Sequence, residues 1–335
     1  MDKHEFALDV SNLTVEYVTS DGIVHAVNDI DLKIPPQKSV GLVGETGAGK
    51  TSTALAIMNL IPSPPGVIRS GKIILNGYDV LHMKDSELNQ VRGSEVAMIF
   101  QDPMTALNPV LNIGEQIEES ILLHEDVTRD EAHEQACEML EMVGIDRSRI
   151  YDYPHQLSGG MKQRVIIAIA LCCNPHLLIA DEPTTALDVT IQAQVLDLIS
   201  NLRDEYRTAM LLITHDLGIV ADMCDEVSVM YAGRIVEHGT VEEVFTNTKH
   251  PYTEGLFDSL PKINDRKSLL KPIIGLMPDP TELPEGCTFA PRCRYAMDKC
   301  FKRRPSLNAI SDTHEVSCLA YEDPVFSIER NKHGR

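Results

Sequence analysis

No stretch of this chain is apolar for long enough to cross a bilayer. The longest run, VIIAIALCCNPHLLIA from Val165 to Ala180, is interrupted by Asn174, Pro175 and His176 and falls short of the roughly 20 residues a membrane-spanning helix requires. Basic residues are scarce beside acidic ones, 30 Lys and Arg against 50 Asp and Glu, for a formal net charge of -20. That sign argues against nucleic acid as a partner of the whole chain. The N-terminal residues MDKHEFALDV have neither the basic n-region nor the apolar h-region of a secretion signal, which makes the cytoplasm the expected compartment. Thiols stay reduced there, so the eight cysteines are expected to be buried, metal-binding or reactive rather than disulfide-bonded. Internal repeats and low-complexity tracts are absent as well.

What is present is an ordinary globular composition. With 43% hydrophobic and 24% charged residues over 335 positions, the chain can bury a substantial core, and its length favours two or more domains. Residues 261–335 hold 13 basic and 10 acidic side chains, a balance of +3, and the remainder carries -23. Two electrostatic units with separate jobs are expected.

Up to Pro261, β-branched runs alternate with helical patterns. LDVSNLTVEYV, SVGLVG, KIILNG, EVAMIF, LLIAD, AMLLITH and EVSVMYAG read as strands, several apolar throughout, as in an α/β core covered by helices. Between about 112 and 173 the pattern is helix after helix (IGEQIEESILLHE, TRDEAHEQACEMLEMVG, SGGMKQRVIIAIALCC), which predicts a helical subdomain inserted into that core. Beyond His250, Pro251, Pro261, Pro272, Pro278, Pro280, Pro284, Pro291 and Pro305 punctuate a loop-rich tail. The expected division is 1–260 and 261–335.

GETGAGKT, Gly44 to Thr51, matches G-x-x-x-x-G-K-[ST] between a strand and a helix, which is where a phosphate loop has to sit. Glycines let successive backbone N–H groups turn inward around phosphate oxygens. The predicted nucleotide site comprises Gly44, Glu45, Thr46, Gly47, Ala48, Gly49, Lys50, Thr51 and Ser52. Lys50 is expected to reach the β- and γ-phosphates and Thr51 to ligate Mg2+, with the helix N-terminus adding partial positive charge. LLIADE, Leu177 to Glu182, is a buried strand that carries two carboxylates out at its end. Asp181 is expected to hold Mg2+, directly or through water, and Glu182, on the opposite face, to polarise an attacking water as general base.

LSGGMKQR, Leu157 to Arg164, decides among proteins with such loops. Ser158, Gly159 and Gly160 open a helix with an N-terminus stripped of bulk, a second anion site. One chain needs only one. Two make sense if each chain lends its second to a partner's nucleotide, in a dimer with ATP at the interface; a helix cap and nothing more is the alternative.

With these elements the sequence resembles the ATP-binding cassette (ABC) family over nearly its whole length. The resemblance implies a P-loop NTPase α/β core with an antiparallel β subdomain, the inserted helical subdomain and a C-terminal extension. It identifies Gln101 in MIFQDP with the Q-loop that senses Mg2+ and the attacking water, and His215 in LLITHD with the switch histidine. Ala186, Leu187 and Asp188 in TTALD correspond to the D-loop at the dimer interface, and Tyr17 in TVEYV to the aromatic stacked on adenine. IADEPTTALDVTIQAQ, MYAGRIVEHG, HPYTEGL and CTFAPRCRYAMDKC, with Met161 where many cassette proteins have Gln, are similar to the ATPases of oligopeptide and dipeptide importers, some of whose relatives carry nickel. Thr51 and Thr185 stand where Ser is common; both keep the hydroxyl. The branch implies ATP hydrolysis at the cytoplasmic face of the membrane beneath two transmembrane permease subunits. It also implies a second ATPase, homologous or identical, and an external peptide-binding protein. A soluble cassette ATPase acting on nucleic acid or ribosomes, or an importer of nickel or another small solute, is the competing reading; the single cassette and its negative charge speak against the first.

Cys287, Cys293, Cys300 and Cys318 are spaced C-x5-C-x6-C-x17-C, unlike the C-x2-C of a zinc ribbon. Four thiolates among proline-broken loops, in a segment poor in apolar residues, suggest a metal staple. An iron-sulfur centre, zinc and metal-free buried thiols all remain open on spacing. The resemblance implies a [4Fe-4S] cluster. From Cys287 to Arg304 six basic residues face one acid, Asp298, a collar that would offset the negative charge of a thiolate-bound cluster, or dock anionic lipid or the partner ATPase. Cys137, Cys172, Cys173 and Cys224 read as core packing.

Overall fold

Strands that are apolar on both faces need cover on both faces, and that requirement organises the molecule. The structure, a computed structural model, describes residues 5–185, 187–260 and 272–328. An antiparallel sheet is built from β1 (Leu8–Thr19), β2 (Gly22–Ile34), β4 (Gly66–Leu75) and β5 (Tyr78–Asp79) in the order β2-β1-β4-β5. The main sheet holds β3 (Ser39–Val43), β6 (Val96–Ile99), β7 (Leu177–Asp181), β8 (Ala209–Thr214), β9 (Glu226–Tyr231), β10 (Arg234–Thr240), β11 (Asn308–Ala309) and β12 (Glu315–Val316). Its order is β11-β12-β10-β9-β3-β8-β7-β6, with β6, β7, β8, β3 and β9 parallel and β10, β12 and β11 antiparallel to their neighbours.

Every residue of β3, β6, β7 and β8 is buried, and their side chains alternate between two cores. Leu42, Leu177, Ile179, Leu211 and Ile213 pack with Ile57 of the helix Lys50–Ile57 and with Val15 and Ile73 of the antiparallel sheet. Leu178, Ala180 and Leu212 face the other way and pack with Ile117, Leu140, Val165 and Ile167. Those last residues belong to the helices Ile113–His124, Arg129–Met142 and Gly159–Leu171, the expected helical subdomain. Its helices start where the sequence offers caps: Asn112 with Glu115 and Thr128 with Glu131 form reciprocal capping boxes, and Ser158 accepts from the Met161 N–H.

Three details differ from the sequence reading. Five strands lie outside the predicted runs, the long β2 and β10 and the two-residue β5, β11 and β12. β2 alternates buried Ile30, Leu32 and Ile34 with exposed charge, the signature of a half-buried strand. The tail also joins the main sheet, because β12 pairs with β10 through Glu237↔Val316 and His238↔Glu315. Cys137 is core and Cys172 and Cys224 pack, partly buried, against the cores, whereas Cys173 is partly buried apart from them. Among the described residues no helix is long and apolar enough to cross a membrane. The expected boundary at 260 abuts residues 261–271, which lie outside the described residues.

Candidate active site

Parallel order fixes where chemistry collects. The loops leaving β3, β8, β7 and β6 emerge side by side at the carboxyl edge of the sheet, where open α/β sheets bind ligands. A cleft of about 460 Å³ opens there, lined by Tyr17, Thr46, Gly47, Gly49, Lys50, Thr51, Ser52, Gln101, Glu182 and His215. The phosphate loop leaves β3 and ends at Gly49, whose φ of 106° lies in the left-handed region. A Cβ at Gly49 would also collide with the Ala26 carbonyl oxygen, so this close backbone approach admits glycine alone. Lys50 is almost wholly buried and donates to the carbonyls of Gly44 at 2.8 Å and Glu45 at 3.1 Å. Burial pulls its ammonium below the usual lysine range, opposed by the carboxylates of Glu182, Asp181 and Glu45.

The end of β7 carries the two carboxylates in contrasting surroundings. Asp181 is 2% exposed; burial pushes its carboxyl up, against the Thr51 hydrogen bond. Among the described residues its Oδ1 is buried with no hydrogen-bond partner, as suits a ligand to a cation. Mg2+ is satisfied by one or two carboxylates, with waters and phosphate oxygens completing its shell, so Asp181 and Thr51 fit the metal of a nucleotide complex. Glu182 has φ 46°, a strained conformation for a side-chain-bearing residue. Three groups hold its carboxylate: Gln101 Nε2 donates to Oε2 at 3.1 Å, Thr185 Oγ1 donates to Oε2 at 3.0 Å, and His215 Nδ1 lies 3.2 Å from Oε1. Burial would raise the Glu182 carboxyl, but the hydrogen bonds from His215 and Thr185 outweigh it and keep the group below the usual glutamate range.

Tyr17 reaches the cleft from β1 and donates to Ser52 Oγ at 3.2 Å. Ser158, Gly159 and Gly160 do not line the cleft. They stand at the start of the helix Gly159–Leu171, Ser158 and Gly159 exposed, available to another molecule. Of the D-loop residues, Ala186 lies outside the described residues; Asp188 caps the helix Val189–Tyr206 by accepting from the Ile191 N–H at 3.0 Å. Sequence reading missed Val24, Ala26 and Pro280, which also line the cleft. They are apolar residues without a spacing motif, and no local signal distinguishes them.

Far along the chain, Cys287, Cys293, Cys300 and Cys318 line one small cavity with His250 and Phe289. The loops around it are tied by backbone hydrogen bonds, the Ala290 N–H donating to the Cys287 carbonyl at 3.0 Å and the Cys287 N–H to the Cys300 carbonyl at 2.8 Å. Burial pushes the Cys293 thiol up to about 12 and the Cys318 thiol up to about 11. Among the described residues, no group of three or more His, Cys, Asp or Glu side chains is placed to hold a metal ion.

Comparison with known proteins gives two family matches: residues 27–185 match the family described as ABC transporter, and residues 236–300 match the oligopeptide/dipeptide transporter C-terminal region. The chain is 50% identical over 318 residues to the oligopeptide transport ATP-binding protein AppD of Bacillus subtilis (strain 168), covering 94% of this chain and 97% of that one. It is 47% identical over 320 residues to OppD of the same organism, an oligopeptide transport ATP-binding protein, covering 94% and 89% respectively. Among solved structures, the dimeric post-hydrolysis state of the ATP-binding cassette MJ0796 bound to ADP and Pi superposes with a TM-score of 0.63 at 25% identity, covering 70% of this chain and 98% of that one.

Proposed function

This chain belongs to the ABC transporter family, to its oligopeptide and dipeptide branch, and from that membership we propose that it is the ATP-hydrolysing subunit of a peptide importer. It works at the cytoplasmic face of the membrane, held there by two transmembrane permease subunits. Its nucleotide cleft is completed by Ser158, Gly159 and Gly160 of a second ATPase, homologous or identical. A peptide-binding protein outside the membrane supplies the cargo.

The observation that carries this reading is the restraint of Glu182 by Gln101, Thr185 and His215 in the cleft that also holds Lys50 and Thr51. A carboxylate kept ionised at the γ-phosphate end of the cleft accepts a proton from water as that water attacks phosphorus. Gln101 and His215 aim it, and each also bears on where the nucleotide ends. Lys50 exchanges its carbonyl partners for phosphate oxygens. Thr51 and Asp181 would hold Mg2+, which supplies charge neutralisation on the β- and γ-oxygens. ATP closes the pair because the closed arrangement adds the partner's anion site, and only such differential affinity shifts a conformational equilibrium.

Glu182→Gln tests it. The variant is expected to bind MgATP as the wild type does, hydrolyse it roughly 10²–10⁴-fold more slowly, and accumulate as a closed dimer in size-exclusion chromatography. Wild-type turnover would remove Glu182 from this role.

The cysteine cavity holds a [4Fe-4S] cluster in the same reading. Four thiols around one space would supply the four cysteine ligands such a cluster takes. When bound it would staple the loops of the extension. Protein purified without oxygen is expected to give a broad visible band and about four irons per chain; zinc or no metal would leave the extension with a packing role alone.

A further inference from the structure

The extension touches the phosphate loop through one shielded ion pair. Arg292, with a side chain 6% exposed, places Nη1 3.0 Å from Glu45 Oε2, and the pair joins residues 247 positions apart. Further contacts engage every nitrogen of the guanidinium. Nη1 lies 3.3 Å from Tyr231 Oη, while Nε and Nη2 donate to the carbonyls of Ile274 at 3.3 Å and Ile273 at 3.4 Å. The guanidinium sits 5.8 Å from the Tyr231 ring centre. A planar fork held at every nitrogen is a fixed post, unlike an exposed pair on two mobile stems.

Glu45 is the second residue of the loop and is tied at three points. Its carboxylate meets Arg292, its N–H donates to Tyr252 Oη at 2.9 Å, and its carbonyl accepts from Lys50 Nζ at 3.1 Å. The position of Glu45 therefore decides where Lys50 starts and how the adjoining amides point. On the other side, Arg292 precedes Cys293, and the segment 289–293 is both a wall of the cysteine cavity and the holder of the Arg292 post. Phe289 bridges the two directly, its ring 5.2 Å from Tyr231 and 5.5 Å from Tyr252.

We propose that Arg292 is a positioning residue for the phosphate loop, through which the cysteine cavity and the nucleotide site are energetically coupled. The proposal deepens the ATPase reading and rests on it. Coupling between two sites is reciprocal. A loop released from Arg292 binds nucleotide more weakly, and nucleotide on the loop steadies the cavity wall.

The experiment measures MgADP affinity by calorimetry for wild type, Arg292→Gln, Arg292→Lys, Glu45→Gln and the double variant Arg292→Gln/Glu45→Gln. Hydrogen exchange of residues 287–293 is followed with and without MgADP. Each glutamine variant is expected to lose about tenfold in affinity, within the usual range of coupling. The double variant should be no weaker than the weaker single, with Arg292→Lys intermediate. MgADP should slow exchange across 287–293 in the wild type and not in Arg292→Gln. Unchanged affinity in Arg292→Gln, single effects that multiply in the double variant, or exchange across 287–293 indifferent to MgADP would each overturn the coupling. If Arg292→Gln does not fold, Glu45→Gln carries the same two readouts from the other side of the pair. A wild-type protein that does not bind MgADP would overturn the ATPase reading itself, which none of the variant outcomes does.

Discussion

His314 Nε2 lies 2.9 Å from Glu237 Oε1, and both side chains are almost completely withdrawn from solvent, at 2% and 0% exposure. Glu237 belongs to β10 of the main sheet, whereas His314 comes from the extension, next to β12. The carboxylate also accepts from the N–H groups of Lys249 at 2.6 Å and His250 at 2.9 Å. One buried carboxylate thus fastens β10, the turn into the helix Pro251–Asp258 and the tail. Burying a carboxylate is tolerable only where donors surround it, and here the donors come from two distant parts of the chain.

Glu237→Ala should therefore destabilise the fold by about 3 kcal/mol, because a buried amide, a half-buried one and a buried imidazole lose their acceptor together. Urea unfolding at neutral pH measures this; a loss within experimental scatter would show that water or a rearranged turn replaces the carboxylate.

Glu243 predicts a pH dependence. Burial would raise its carboxyl, but hydrogen bonds from Thr313, Thr240 and Ser311 outweigh it and hold the group at about 2, below the ordinary 4.5. A carboxyl depressed in the folded state contributes stability that is fully present above 4.5 and is lost as pH falls through about 2. Thr313 and Ser311 lie in the extension, so the contribution joins the tail to the core. In Glu243→Gln, the decline in melting temperature over that acidic window should be shallower than in wild type. An identical acid profile would remove Glu243 as its source.

Gly49→Ala addresses the phosphate loop without touching a polar side chain. The left-handed backbone and the Ala26 carbonyl together exclude a Cβ, and strain of this kind amounts to about 1–3 kcal/mol. The loop is expected to shift, with nucleotide affinity falling at least tenfold or so by fluorescence titration while the circular dichroism spectrum is retained. Undiminished affinity would mean that the loop tolerates the shift.

The sequence alone determined whatever depends on contiguous residues. The phosphate loop is legible because its glycines, lysine and hydroxyl must follow one another between a strand and a helix. The same holds for Asp181 and Glu182 at a strand end, for Ser158 as a helix cap, and for the run of helices in the helical subdomain. β2 and β10 were missed because their polar faces dilute a signal read from apolar runs. Tertiary structure alone decided which residues meet. Gln101 and Glu182 are 81 positions apart, and Glu182 and His215 are 33 apart; they converge because β6, β7 and β8 are adjacent and parallel, so that their carboxyl ends share one edge. Arg292 reaches Glu45 because the tail folds back along β10 and packs Phe289 on Tyr231. Local spacing encodes local geometry, but a contact across hundreds of residues exists only once strand order and core packing have brought its two ends together.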